Sequence, residues 1–328
     1  MTSRSIRSAA ASALDAALDR TVVPGFSRIG PAVRSRLSTW PADPEPATLI
    51  GRQVLVTGAS SGIGTAVAEQ LAALGATVHL LVRDRAKGQA VADRLPHDAR
   101  VWTADLADLE SVRAAATALR DSGIELHGIV HNAGVLPAKR TESAQGHELT
   151  MAVHVLGPVL LTDLLADRLA PDSRIVFVTS GGMYTQPLPV DDPEYQSEKF
   201  SGATAYARSK RTQVDLLDHF VRRWPATHVY AMHPGWVTTP GVTESLPGFD
   251  KVMGPLLRQP DDGADTITWL LATMPAPPGG GLWHDRHERS TNFLPTTRST
   301  PADRDRLWTW VLENSGLTMN STDSRNPS

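Results

Sequence analysis

A glycine-rich turn between a strand pattern and a helix pattern constrains the fold of this chain most strongly. Gln53–Thr57 (QVLVT) is a short apolar, β-branched run, which is typical of a buried strand. It continues into residues 58–64 (GASSGIG), and apolar residues at helical spacing follow until Gly75. Glycine allows a tight turn and a close approach of the backbone, so this layout brings the pyrophosphate of a dinucleotide to a helix N-terminus. The stretch therefore predicts a nucleotide-binding unit.

Strand patterns alternate with helix patterns along most of the chain. Further apolar runs predict strands over residues 76–82, 100–104, 127–131, 173–179 and 227–232. Predicted helices lie between them, at 109–119, 148–168 and 204–224. This alternation predicts an α/β fold: a single domain with a doubly wound parallel sheet of the Rossmann type and helices on both faces.

Polar or glycine-containing motifs follow the later predicted strands. Asp105 follows the third strand, Asn132-Ala133-Gly134 the fourth, Ser180 the fifth and Pro234-Gly235 the sixth. Ligands of open α/β sheets lie at the carboxyl ends of the strands. The motifs therefore predict one binding cleft at that edge of the sheet.

The end of the second predicted strand bears on the choice of cofactor. In this layout it lies beside the adenosine ribose, where a carboxylate selects the 2′-hydroxyl of NAD and an arginine selects the 2′-phosphate of NADP. Val82 and Arg83 occupy these positions, so the sequence favours NADP(H). Asp84 keeps NAD(H) possible, and a solvated turn is the structural alternative.

Tyr206 and Lys210 are four residues apart in a predicted helix, so their side chains share one face. A phenol is a weak acid with a pKa of about 10, and a neighbouring ammonium group lowers that pKa. Such a tyrosine can pass a proton to or from an alcohol or carbonyl oxygen. On its own the pair is more typical of a solvated helix face, so its weight comes from the other motifs.

Composition excludes several kinds of function. The net charge of −3 gives no basic field for nucleic acid. The absence of cysteine excludes disulfides, thiolate metal sites and a cysteine nucleophile, and no metal site is predicted. No apolar run approaches the roughly 20 residues that span a bilayer, so we expect no transmembrane segment and a cytoplasmic location.

The two ends of the chain stand apart from the predicted domain at 48–313. Apolar residues recur at helical spacing over 5–20, which predicts a helix packed on the domain, with peripheral membrane association as the alternative. Prolines within 41–46 mark a linker that completes an N-terminal extension of residues 1–47. We expect a substrate loop over about 236–262 and a disordered tail at 314–328.

Five motifs, in their order and spacing, resemble the short-chain dehydrogenase/reductase family over about residues 51–285. They are TGASSGIG (57–64), NAG (132–134), Ser180, YARSK (206–210) and Pro234-Gly235. The long connection between Ser180 and Tyr206 is similar to that of the retinol-dehydrogenase-like branch. Residues 179–183, 197–211 and 232–242 resemble an orphan oxidoreductase of the family more closely still.

The resemblance implies a role for each matching residue. Tyr206 would be the general acid or base, Lys210 would hold the nicotinamide ribose and lower the pKa of Tyr206, and Ser180 would bond the reacting oxygen. The implied cofactor contacts are Gly58, Ser60, Ser61, Gly62, Ile63, Gly64, Arg83, Asp105, Leu106, Asn132, Ala133, Gly134, Tyr206, Lys210, Pro234, Gly235, Val237 and Thr239. Because the cofactor carries the hydride, the protein needs to supply only orientation and a proton.

Two residues depart from the family pattern. His154 stands where the family usually has an asparagine that helps to hold a water in the proton relay to the lysine. An imidazole can hold such a water as the asparagine does, with a loss of turnover when it protonates, or it can be a satisfied buried histidine. Ser61 stands where many NADP-preferring relatives have a basic residue, so the NADP prediction rests on Arg83.

Together these observations predict an NADP(H)-dependent oxidoreductase that interconverts a hydrophobic carbonyl compound and its alcohol. Apolar residues of the predicted substrate side are Met183, Trp236, Leu246, Phe249, Met253, Leu256 and Leu257. The alternatives are a non-catalytic NADP(H)-binding sensor or scaffold, and an NAD-dependent alcohol dehydrogenase. A homodimer that pairs through helices 148–168 and 204–224 is also expected from the resemblance.

Overall fold

One twisted sheet forms the centre of the molecule. The computed structural model describes residues 3–239, 251, 253–320 and 323. Within these residues the strands are β1 Gln53–Thr57, β2 Thr77–Val82, β3 Arg100–Thr103, β4 Leu126–His131, β5 Leu169–Val178, β6 Thr227–Met232, β7 Leu282–His284 and β8 His287–Arg289. Their order is β3-β2-β1-β4-β5-β6-β7-β8, parallel throughout except that β8 runs antiparallel to β7. The strand order reverses between β1 and β4, which opens a cleft at their carboxyl ends.

Helices cover both faces of this sheet. They are α1 Ser3–Arg20, α2 Val22–Phe26, α3 Ile29–Arg34, α4 Gly62–Ala73, α5 Arg85–Ala92, α6 Leu109–Asp121, α7 Leu149–Met151, α8 Gly157–Leu164, α9 Gly202–Asp215, α10 Leu217–Arg223, α11 Pro260–Ala272 and α12 Pro301–Asn314. One apolar core joins the sheet to α6, α8, α10 and α12, and a second joins it to α4, α5 and α11. The predicted doubly wound α/β fold is confirmed.

The long helix predicted over residues 148–168 is interrupted. Between α7 and α8 the chain forms one π-helical turn, Ala152–Leu156, and α8 then begins at Gly157 with a proline in its first turn. Pro158 has no N–H to donate to the carbonyl of His154 four residues earlier. The side chain of Gln213 on α9 donates to that carbonyl instead, at 2.7 Å. The single helix predicted over 204–224 is likewise divided at Leu216 into α9 and α10.

The N-terminal extension packs on the domain, as expected for the apolar pattern of α1. Ala11 and Leu18 are buried. The extension also contributes charge: Arg34 binds Asp285 at 2.5 Å and Asp15 at 2.7 Å, and all three side chains are nearly inaccessible. Among the described helices, none has both the length and the apolar character that a bilayer crossing requires.

The described part of the C-terminal tail is also attached to the domain. Arg113 donates to the carbonyl of Ser315 at 3.0 Å, and Arg223 forms an ion pair with the buried carboxylate of Asp323. The disordered tail predicted from residue 314 therefore does not describe residues 314–320 or Asp323. Leu317 of this tail packs against the same apolar core as α12.

The predicted substrate loop at 236–262 lies only partly within the described residues. Residues 240–250 and 252, including Leu246 and Phe249, are outside them. The end of the predicted loop belongs to α11, because Pro260 begins that helix after a capping box formed by Gln259 and Asp262. The structure therefore shortens the loop at this end.

Asp285 gives a prediction about stability. It binds the guanidinium of Arg258 through both carboxylate oxygens, at 2.6 and 3.1 Å, in addition to Arg34. Removing one partner of a buried ion pair leaves an uncompensated charge, so we expect Asp285→Asn to lower the free energy of unfolding by about 3–5 kcal/mol. The control is Asp191→Asn, whose ion pair with Arg306 is exposed and should contribute no more than about 1 kcal/mol. Denaturant unfolding at neutral pH measures both changes, and equal losses in the two variants would contradict the prediction.

Candidate active site

The turn between β1 and α4 has no room for side chains at two of its glycines. Gly58 has a φ of 66°, and a Cβ there would lie 2.8 Å from the Cα of Ala133. A Cβ on Gly64 would lie 2.4 Å from the carbonyl oxygen of Gly58. The amide of Asn132 donates to the carbonyls of Thr57 and Gly58, at 3.0 and 3.3 Å. The end of β4 therefore holds the turn close to the first turn of α4.

The first turn of α4 has the features of a phosphate site. Ser61 is its N-cap residue in extended conformation, and the serine side chain does not bond the helix N-terminus. The N–H groups of Gly62, Ile63 and Gly64 therefore point out of the helix, at the positive end of its dipole. Ser60 and Ser61 lie beside them. These residues fit the pyrophosphate of a dinucleotide.

At the end of β2, the carboxylate of Asp84 already accepts hydrogen bonds from the protein. Its carboxylate caps α5 by accepting hydrogen bonds from the N–H groups of Ala86 and Lys87, at 3.0 and 3.1 Å. Arg83 beside it is exposed. Asp105 after β3 accepts a hydrogen bond from the N–H of Ala107 at 2.9 Å, which fixes the turn there. Of the two charged residues that directly follow β2, Asp84 is thus bound into a helix cap and Arg83 is not.

The structure brings Ser180, Tyr206 and Lys210 together at the end of β5. The Ser180 hydroxyl lies near enough to the Tyr206 side chain to lower the pKa of its phenol. The Lys210 ammonium lies 5.6 Å from the centre of the Tyr206 ring and donates to the carbonyl of Val178 at 2.7 Å. Thr179 ties the strand to α9, since its hydroxyl donates to the carbonyl of Lys210 at 2.9 Å. The three residues predicted to carry the chemistry therefore form one cluster.

Burial governs the charge of this cluster. It lowers the pKa of Lys210 to about 7, from 10.5. It also raises the pKa of Tyr206, and the nearby Ser180 hydroxyl opposes this rise only in part. The sequence predicted a lowered pKa for Tyr206, but the ammonium is itself held in surroundings that favour its neutral form. Tyr206 is therefore protonated at neutral pH in this arrangement and can act as an acid.

His154 has both ring nitrogens bound to protein. Nε2 accepts the N–H of Val135 at 2.9 Å, so Nδ1 carries the proton and donates to the hydroxyl of Ser209 at 2.7 Å. The Ser209 hydroxyl donates in turn to the carbonyl of Tyr206 at 2.8 Å. Burial, with the charge of Lys210, lowers the pKa of His154 well below 6.5.

This arrangement corrects the relay interpretation of His154. No ring nitrogen is left for a water, and the group does not protonate near neutral pH, so the predicted acid-side loss of turnover has no basis here. Of the two interpretations, the structure supports the satisfied buried histidine. The His154 ring lies edge-on to Tyr206 with centroids 5.3 Å apart, so it helps to place that ring.

The segment after β6 lies against the N-terminal extension. Gly235 has a φ of 75°, and a Cβ there would meet the carbonyl oxygen of Phe26 at 2.5 Å. The same oxygen accepts the N–H of Trp236 at 2.7 Å. Val237 is buried and pairs with Arg258, and Thr239 ends the described part of this segment. No pattern in the sequence indicates the contacts of Phe26.

The predicted apolar lining divides between core and cleft. Met183 and Leu257 are buried and belong to the core, whereas Trp236, Met253 and Leu256 are partly exposed. Among the described residues, no group of three or more histidines and carboxylates is arranged to hold a metal ion. The partly exposed residues are those that remain candidates for substrate contact.

Curated relatives are similar in sequence to this chain over most of its length. Dehydrogenase/reductase SDR family member 12 of Bos taurus is 38% identical over 267 residues, which cover 78% of this chain and 84% of the relative. Retinol dehydrogenase 12 of Homo sapiens is 32% identical over 281 residues, which cover 82% of this chain and 88% of the relative. These matches confirm the resemblance to the retinol-dehydrogenase-like branch and to its orphan oxidoreductase.

Solved structures share the fold. An uncharacterized protein from Mycobacterium paratuberculosis superposes with a TM-score of 0.68 at 26% identity, over 84% of this chain and 98% of that one. A short-chain dehydrogenase of Shigella flexneri 2a complexed with NADP gives a TM-score of 0.61 at 25% identity, over 74% of this chain and 100% of that one. The family model for short chain dehydrogenases matches residues 52–248. The chain therefore belongs to the short-chain dehydrogenase/reductase family and is an oxidoreductase of the CH–OH/C=O class.

Proposed function

We propose that this enzyme transfers hydride between NADP(H) and a hydrophobic carbonyl compound or its alcohol, with Tyr206 moving the proton. The observation that carries the proposal is the cluster of Ser180, Tyr206 and Lys210 at the end of β5, beside the cleft between β1 and β4. An intact acid–base cluster of this kind favours turnover over a role as a sensor or scaffold.

The residues of the cluster would divide the work between them. When bound, the cofactor supplies or accepts the hydride at the carbonyl carbon. In reduction, the Ser180 hydroxyl donates a hydrogen bond to the carbonyl oxygen, and Tyr206 transfers its proton to that oxygen to give the alcohol. In oxidation Tyr206 takes the proton back. The raised pKa of Tyr206 keeps this proton in place at neutral pH, which suits the reducing direction.

The choice of NADP(H) rests on the end of β2. Oδ1 of Asp84 accepts both hydrogen bonds of the α5 cap, so the cap fixes the orientation of this carboxylate. Arg83 is exposed there and can form charge-assisted hydrogen bonds to a 2′-phosphate. The pyrophosphate would lie on the first turn of α4, against Gly58 and Gly64. The structural relative complexed with NADP is consistent with this choice.

A hydrophobic substrate is supported by the partly exposed Trp236, Met253 and Leu256. A relative named for retinol, an apolar alcohol, points the same way. The homodimer stays a prediction. Its expected contact helix α9 is already buried over residues 209–215, where Arg211 donates to the carbonyl of Thr291 at 2.6 Å.

Tyr206→Phe tests the chemistry. The variant keeps the ring and loses the hydroxyl, so we expect NADPH to bind as in the wild type while kcat falls about a hundred- to ten-thousand-fold. Turnover is measured across a panel of aldehydes and ketones, and binding by the fluorescence of NADPH. Tyr230→Phe is the control, because it removes a buried hydroxyl whose partner in the described structure is the carbonyl of Pro277. Normal turnover in Tyr206→Phe would exclude this mechanism, and a wild type that binds NADPH without turning over the panel would favour the sensor.

Arg83→Ala tests the cofactor. Losing charge-assisted hydrogen bonds to the 2′-phosphate should cost about 1.5–3 kcal/mol, or roughly a ten- to hundredfold loss of NADPH affinity. NADH affinity should not change. The control is Arg94→Ala, an exposed arginine paired with Glu69. The prediction is contradicted if the ratio of NADPH to NADH affinity is the same in Arg83→Ala and the wild type.

Lys210 gives a prediction on pH. Its folded pKa of about 7 lies below the ordinary 10.5, so the charged form opposes folding at low pH, and this cost is relieved as the pH rises from 7 to 10.5. We expect the cofactor-free wild type to gain thermal stability relative to Lys210→Met over that window, because titrations of other groups cancel in the difference. Melting temperatures at pH 6.5–9.5 measure it. A difference that stays constant with pH would show that Lys210 is not held in its neutral form.

A further inference from the structure

The end of α2 reaches into the catalytic half of the molecule. Phe26 is 2% exposed and lies among residues that follow β5 and β6 and the last residue of β7. Its ring is edge-on to those of His233, His284 and Trp236, with centroids 4.7, 5.5 and 6.0 Å apart. Phe26 belongs to the N-terminal extension, yet its ring fills the space between residues at the carboxyl ends of β5, β6 and β7.

The Phe26 ring occupies the place of a side chain at Gly181. A Cβ on Gly181 would lie 2.5 Å from Cε2 of Phe26 and 2.9 Å from Cδ2. Gly181 directly follows Ser180 and begins a short 3-10 helix whose N-cap is that serine. Because the ring is buried and cannot swing aside freely, it limits how far the backbone at Ser180 can move toward the extension.

The Phe26 carbonyl holds the segment after β6. It accepts the N–H of Trp236 at 2.7 Å and Nε of Arg258 at 3.0 Å. Arg258 in turn donates its own N–H to the carbonyl of Trp236 at 2.8 Å, and its carbonyl accepts the N–H of Thr238 at 3.0 Å. The segment that leads to Thr239 is thus bonded on one side to α2 and on the other to residue 258.

Buried charges fix α2 in this position. Arg258 donates to the carbonyl of Gly25 at 2.8 Å, and Arg34 donates to the same carbonyl at 3.2 Å. Both guanidinium groups also bind Asp285. Burial by itself raises the pKa of Asp285, but His284 and the two guanidinium groups hold it well below its usual value, so the carboxylate stays charged. The position of Phe26 is set by these bonds, not by apolar contact alone.

We propose that Phe26 is a positioning residue of the active site, which acts through Ser180 on one side and through the segment 235–239 on the other. The inference rests on the proposed function, which assigns Ser180 to the reacting oxygen, and on the family resemblance, which places Gly235, Val237 and Thr239 among the cofactor contacts. The N-terminal extension is then required for full catalytic activity. The adenosine half, on the far side of the switch point between β1 and β4, does not depend on it.

Phe26→Leu tests this inference, with Phe220→Leu as the matched control. Phe220 is a fully buried core phenylalanine stacked on Phe177 and Trp224. Displacement of reacting groups by about 1 Å can cost on the order of a hundredfold in rate. We expect Phe26→Leu to lower kcat at least about tenfold, and to leave the affinity for 2′,5′-ADP, which probes the adenosine half alone, as in the wild type. Phe220→Leu should lower the melting temperature while kcat and 2′,5′-ADP affinity stay unchanged.

A double-mutant cycle tests the contact itself. Gly181→Ala places a methyl group against the Phe26 ring, so it should lower kcat, and adding Phe26→Leu should lower it little further because the ring edge is gone. The primary isotope effect with NADPH deuterated at C4 should rise in the single variants, since hydride transfer becomes slower than product release. Gly181→Ala serves alone if Phe26→Leu does not fold.

Three results would overturn the inference: a wild-type kcat in Phe26→Leu, an equal loss of kcat and 2′,5′-ADP affinity, or independent effects of the two substitutions in the cycle. Failure of the proposed function looks different, since the wild type itself would then neither bind NADPH nor reduce any carbonyl compound of the panel.

Discussion

The carboxylate of Asp285, shared by the guanidinium groups of Arg34 and Arg258, is the interaction on which the catalytic half of this enzyme depends. Arg34 comes from the N-terminal extension, Arg258 from the segment before α11 and Asp285 from the turn between β7 and β8. A buried carboxylate is costly unless it is fully paired. The three segments must therefore assemble together. Arg34 reaches the carboxylate of Asp285 only when the extension lies in this position.

The same balance of burial and charge acts at the active site with a different result. Lys210 has no carboxylate beside it in the described structure, and its ammonium bonds a carbonyl oxygen. Burial therefore drives Lys210 toward its neutral form, whereas Asp285 stays ionised. The paired carboxylate of Asp285 holds three segments of the chain together. The Lys210 ammonium is incompletely paired, so it can still interact with a ligand.

The sheet and the cleft could be predicted from sequence because their signals are local. The strand at 53–57 and the turn after it are adjacent in the chain, and the later strands follow from short apolar runs that alternate with helix patterns. The surroundings of His154 and Phe26 could not be predicted. His154 finds its partners 19 and 55 residues away, and Arg34 binds Asp285 across 251 residues. An amphipathic pattern shows that a helix packs, but it does not show on which surface.

Pro158 shows how a missing atom can join two helices. Pro158 has no N–H to offer the carbonyl of His154 four residues earlier, and that carbonyl accepts a hydrogen bond from the side chain of Gln213 on α9. Any other residue at 158 would restore a competing donor four residues from that carbonyl. The proline therefore favours a hydrogen bond between the π-helical turn and α9. The distance between these two elements is then set by the length of a hydrogen bond as well as by side-chain volume.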